Sequence, residues 1–123
     1  MYWFNFYVFV NILLLTLLAF NVSRLRMKER VSLGDGGKAT LKNAIRSHAN
    51  SVEHAVPFGL VVLALSLSHQ VAPLPYLVCG FTLSRLLFSA GMLLPRMSFR
   101  RSGAGLTYLL ELIALVMLGL SLL

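Results

Sequence analysis

Residues 2–22 read Tyr2-Trp-Phe-Asn-Phe-Tyr-Val-Phe-Val-Asn-Ile-Leu-Leu-Leu-Thr-Leu-Leu-Ala-Phe-Asn-Val22, an unbroken run without a charged side chain. A helix needs about 20 such residues to cross the hydrocarbon core of a bilayer. No cationic segment precedes the run, and it is longer than the apolar region of a secretory leader, so it reads as a true span. Three further stretches meet the same length criterion. One covers residues 50–68, with a polar helical extension back to Thr40; the others are 74–94 and 104–123. The expectation is an all-α, integral membrane four-helix bundle, a single domain over residues 1–123.

Composition points the same way. Of 123 residues, 58% are hydrophobic and 12% charged, more apolar surface than a soluble domain of this length can hide. The net charge of +7 is confined to short stretches between apolar runs, which suits loops beside an anionic leaflet and not a nucleic-acid face. Cys79, the sole cysteine, sits in an apolar segment and reads as a small buried hydrophobe.

Charge distribution orients the chain. Between Ser23 and Ser47 lie Arg24, Arg26, Lys28, Arg30, Lys38, Lys42 and Arg46, opposed by Glu29 and Asp35; between Pro95 and Gly103 lie Arg96, Arg100 and Arg101. The connection from His69 to Pro75 has no Lys or Arg, and neither terminus carries one. The positive-inside rule therefore predicts cytoplasmic first and third loops, with both termini on the opposite side. Gly34-Asp-Gly-Gly37 reads as a plain turn, since no strand precedes it and the P-loop lysine spacing is absent.

Ionisable groups inside a span call for a reason. Lys42, Arg46, Asn50, Glu53 and Pro57 are spaced four, four, three and four apart, which confines them to a stripe about 80° wide on one face of the second helix. Pro57 cannot donate to the Glu53 carbonyl, so a kink is expected there. Arg85 falls near the middle of the third span, and a Glu53–Arg85 ion pair would serve both residues. Such a pair alone would only fasten helices. Arg46 and Asn50 add more polarity than one bridge requires, which favours a small anionic or zwitterionic ligand held by arginine forks. Glu111, one turn after Thr107, reads as part of the site, as kept neutral by desolvation, or as paired with a basic neighbour, the last two being favoured. Asn5, Asn11 and Asn21 read as interhelical glue, and Tyr2, Trp3, Phe4 and Tyr7 as an interfacial belt. His48 and His54 share no helix face, so no metal site is expected.

The segment Ala44-Ile-Arg46-Ser-His-Ala-Asn50-Ser-Val-Glu53-His-Ala-Val-Pro57 resembles the second-helix signature of the MAPEG superfamily, the membrane-associated proteins of eicosanoid and glutathione metabolism. Arg85-Leu-Leu-Phe-Ser-Ala-Gly91-Met92 resembles its third-helix motif. Arg24-Leu-Arg26-Met-Lys-Glu-Arg30-Val-Ser-Leu-Gly-Asp-Gly-Gly37 and Arg100-Arg-Ser-Gly-Ala-Gly-Leu-Thr107 resemble the short bacterial members. The resemblance implies a homotrimer in a bacterial inner membrane, with glutathione as co-substrate bound between subunits near the cytoplasmic side. It implies Arg26, Arg46, Asn50, Glu53 and Arg85 as glutathione-binding residues. Arg100, with Arg101 as rival, matches an arginine that stabilises the thiolate. The implied enzyme is a glutathione transferase or peroxidase acting on lipophilic electrophiles. A guanidinium suits the chemistry, because it lowers a thiol's pKa without titrating itself. The chain departs from the pattern at Phe88 and Met92, where relatives often carry a tyrosine or histidine and a tyrosine. His54 stands where eicosanoid-making relatives commonly have tyrosine.

Two other readings compete. A small multidrug-type transporter also has four helices in this length, but it depends on an intramembrane acid, which the first span lacks. A non-catalytic membrane bundle would use the polar seam only for assembly.

Overall fold

The computed structural model describes residues 1–68 and 72–122. It consists of four helices in the order α1 (Tyr2–Glu29), α2 (Ala39–Leu67), α3 (Leu74–Leu93) and α4 (Met97–Leu120). All four are long and apolar enough to cross a membrane. The lysine- and arginine-free connection expected from His69 to Pro75 falls in part on residues 69–71, outside the described residues, as does Leu123.

α1 and α4 each run past, at their loop-facing end, the apolar stretch that announced them. At 1.5 Å per residue α1 is about 42 Å long against a core of about 30 Å, so its basic last turn projects beyond the hydrocarbon. It ends at Arg30 in the left-handed conformation, whose N–H donates to the Arg26 carbonyl. The turn that follows places Gly34, Gly36 and Gly37 at positive φ, and the Gly37 N–H donates to Asp35 Oδ1 at 2.9 Å. That geometry is an Asx-type turn. α2 continues through Pro57 as one helix. α4 starts at Met97, so Arg100 and Arg101, read from sequence as loop residues, occupy its first turns. Arginine is a good helix former, and the start of α4 is pinned against the end of α3.

That pinning depends on two glycines. A Cβ on Gly91 would strike the backbone of Phe99 and Arg100, and one on Gly103 would strike the backbone of Ser84 and Phe88. Backbone contact of this kind is how small residues draw membrane helices together when hydrophobicity offers no preference for protein over lipid.

The interior divides into two layers. The apolar layer stacks Phe58 on Phe81, with centroids 4.0 Å apart, amid Val62, Leu65, Leu74, Leu77, Val78 and Ala114. Tyr7 belongs to this layer and not to an interfacial belt. It is 3% exposed, lies 5.8 Å from Phe58 and 5.7 Å from Phe81, and donates its hydroxyl to the Ala55 carbonyl at 2.6 Å. Its ring packs at Gly59, where the missing side chain leaves room. The polar layer lies towards the basic loops and contains Ser47, Ser51, Ser84, Arg85, Ser89 and Thr107, all buried.

Two other expectations change. Asn11 donates to the Tyr7 carbonyl of its own helix at 3.0 Å, and Asn21 accepts from Arg24 at 2.9 Å, so among the described residues both bond within α1. Cys79 is exposed on α3. In a membrane span the outer face is itself apolar, so an apolar segment does not imply an interior position.

Candidate functional site

The site begins with the stripe on α2. The buried positions of this helix, among them Leu41, Ser47, Ser51, Phe58, Val62 and Leu65, centre about 160° from the middle of the Lys42–Pro57 stripe at 100° per residue. Lys42, Arg46, Glu53 and Pro57 are accordingly exposed, and Asn50 stands at the boundary. The polar seam thus faces out of the subunit and not into its core.

This rotation overturns the expected Glu53–Arg85 pair. Arg85 does enter at the right depth, but it meets Asn50 and Ser51. Its Nη2 donates to Asn50 Oδ1 at 2.8 Å and to Ser51 Oγ at 3.2 Å, and its Nη1 donates to Thr107 Oγ1 at 3.3 Å. Glu53 lies about 160° around the helix from Ser51, too far to share that partner. Arg85 is 1% exposed and makes no ion pair among the described residues. Its Nε has no hydrogen-bond partner among the described residues, and its guanidinium lies 4.6 Å from the Phe88 ring centroid. Phe88, one of the departures noted above, thereby covers the cation with an aromatic face. Ser84 and Thr107, 2.9 Å apart, extend the network to α4. The arginine is held by neutral groups, and its one link to the outward stripe is Asn50.

Glu111 has a basic partner. His54 Nδ1 and Glu111 Oε1 are 2.7 Å apart, with side chains 17% and 29% exposed. This pair was missed as such, although both residues stood out singly. Intervals along one helix cannot reveal which residue of another helix stands opposite. Tyr108 meets the His54 ring edge-on, at 5.6 Å between centroids. The pair opens on an apolar groove between α2 and α4, about 290 Å³ in volume, whose walls include Pro57, Val61, Ala114 and Leu115.

The remaining expected residues lie at the basic end. Arg26 is half-buried and turned onto its own loop, with Nη1 donating to the carbonyls of Gly34 at 2.9 Å and Ser32 at 3.3 Å. Arg100 is exposed and lines a small crevice with Asn43, Gly91, Met92, Pro95 and Met97. Met92, the other departure, is buried against this region. Arg46, Asn50 and Glu53 are therefore brought together on one outward face, Arg85 stands behind them, and Arg26 and Arg100 are apart from them within a single subunit.

Four spanning helices, an outward stripe of mixed charge and a buried arginine without a counter-ion define a polytopic membrane protein with a polar face in its spans. The model of the MAPEG family matches residues 4–121, and the chain belongs to that family. It is 36% identical over 104 residues to the inner membrane protein YecN of Escherichia coli strain K12, covering 83% of this chain and 79% of YecN. The YecN of Escherichia coli O6:H1 matches to the same extent. No solved structure matches the chain.

Proposed function

We propose that this protein is an inner-membrane glutathione-binding enzyme, a transferase or peroxidase for lipophilic electrophiles, active as a homotrimer with its basic loops in the cytoplasm. The observation that carries the reading is the outward stripe. Glu53 is exposed within a helix long enough to span the bilayer, with Arg46 two turns before it on the same face, and a charged group inside a span requires a polar partner. A second subunit and a zwitterionic peptide together would supply one. Glutathione offers two carboxylates and an ammonium, matching Arg46, Glu53 and the amide of Asn50 in sign and donor type.

Arg85 is sealed from the surface and acts through Asn50, whose amide oxygen it holds at 2.8 Å. Arg100, exposed at the start of α4, serves as the thiolate-stabilising cation. Arg26 holds the first loop in shape at the basic end. Inner-membrane residence agrees with the name of the YecN relatives, and the orientation follows from the loop charges.

The test is glutathione titration of the detergent-purified protein by calorimetry, with ultraviolet thiolate absorbance recorded in parallel. Binding in the range of about 1 mM or tighter is expected, with loss of at least tenfold in Arg46→Ala at unchanged helicity. Absence of heat and of thiolate signal in the wild type at millimolar glutathione would sink the proposal.

A further inference from the structure

The His54–Glu111 pair has a geometry that the stripe alone does not explain. We infer that His54 is the proton shuttle of the reaction, with Glu111 as its positioning residue and the α2–α4 groove as the seat of the electrophile. This inference rests on the proposed binding of glutathione along the α2 stripe.

Three observations carry it. First, Nδ1 of His54 is committed to Glu111 at 2.7 Å, whereas Nε2 has no partner among the described residues and is not among the sealed polar atoms. A carboxylate accepting from Nδ1–H leaves the lone pair of the neutral ring on Nε2, the arrangement of a general base. Second, His54 follows Glu53 directly, so the ring stands beside the stripe at the depth where the peptide is held. Third, the groove at the pair is otherwise apolar, with Pro57, Val61, Ala114 and Leu115 in its walls. A site with one polar corner and apolar sides fits a lipophilic molecule that carries one reactive polar atom. The charged and titratable groups around the ring are Glu111 and Tyr108 from α4, Glu53 on α2, and Arg85 of α3 behind Asn50.

The step balances without a further reactant. Nε2 takes the thiol proton of glutathione as sulfur attacks. With a lipid hydroperoxide, the S–O bond forms and the O–O bond breaks. The electron pair leaves on the alkoxide oxygen, which receives the proton from Nε2. The products are an alcohol and the glutathione sulfenic acid, which a second glutathione converts to disulfide and water. With an aryl chloride, the S–C bond forms and chloride leaves with its electron pair. Chloride needs no proton, so only the base half of the shuttle is used.

The experiment compares wild type, His54→Gln and Glu111→Gln as full-length proteins in detergent, using cumene hydroperoxide and 1-chloro-2,4-dinitrobenzene. Glutathione affinity by calorimetry is expected to stay within about threefold in both variants. The kcat with the hydroperoxide falls about 100-fold in His54→Gln, within the range that general acid–base catalysis contributes. The loss is smaller with the aryl chloride, and raising the pH restores that rate as the thiol ionises unaided. Glu111→Gln shows the same pattern more weakly. Equal losses with both electrophiles, or unchanged kcat in His54→Gln, overturn the inference. Should His54→Gln fail to fold, Glu111→Gln decides on the same criterion. A wild type that binds glutathione but turns over neither electrophile overturns the shuttle and leaves the binding proposal standing; one that binds no glutathione removes both.

Discussion

Gly103→Ala adds a single methyl group, and its effect can be worked from the geometry of the α3–α4 contact. The new Cβ would lie 2.8 Å from both Phe88 Cα and the Ser84 carbonyl oxygen, and closer still to the Phe88 nitrogen. All three are backbone atoms, so no side chain can swing away. Bringing the Phe88 nitrogen, the nearest of the three, to an ordinary contact of about 3.4 Å requires α3 and α4 to part by about 1 Å at this point. The Arg85–Thr107 bond, already 3.3 Å, and the Ser84–Thr107 bond, at 2.9 Å, are then both lost. Interhelical hydrogen bonds in membranes average about 0.6 kcal/mol, and overpacking costs about 1–3 kcal/mol. Less the gain of up to about 1 kcal/mol that alanine brings to a helix, the sum is about 1–4 kcal/mol of destabilisation. Gly105→Ala is the control: nothing lies within 4 Å of its Cβ position, and replacing a helical glycine by alanine favours the helix by up to about 1 kcal/mol. Unfolding in mixed micelles with increasing dodecyl sulfate, followed by circular dichroism and Trp3 fluorescence, reads both variants. A Gly103→Ala protein within about 0.5 kcal/mol of wild type, or no less stable than Gly105→Ala, would refute the proposed close approach.

Tyr7→Phe removes one buried hydroxyl that donates to the Ala55 carbonyl while keeping the ring packed at a tilt against Phe58 and Phe81. The same assay should show a loss of about 1 kcal/mol with unchanged glutathione binding; a variant as stable as wild type would mean that the hydroxyl contributes nothing. The charge asymmetry of the loops predicts that alkaline phosphatase fused to the C-terminus is active and that a cysteine at Ser32 is shielded from an impermeant label added to intact cells. Inactive phosphatase together with labelled Ser32→Cys would reverse the topology.

The number of spans and the polar stripe on α2 were legible in the sequence. Both depend on local properties: the length of apolar runs against the thickness of the bilayer, and the 3.6-residue period that aligns Arg46, Asn50, Glu53 and Pro57. The early start of α4 was less legible, because Arg100 and Arg101 suit a loop by charge and a helix by propensity.

What the stripe faces, and which residues meet across helices, emerged only in the tertiary structure. In a soluble protein the hydrophobic face of a helix points inwards. In a bilayer, lipid and protein interior are alike apolar, so hydropathy does not set a helix's rotation about its axis. Rotation follows instead from contacts such as Gly91 and Gly103 on backbone and Tyr7 against Gly59. That rotation turns Glu53 outwards, gives Arg85 the neutral partners Asn50, Ser51 and Thr107, and brings His54 onto Glu111.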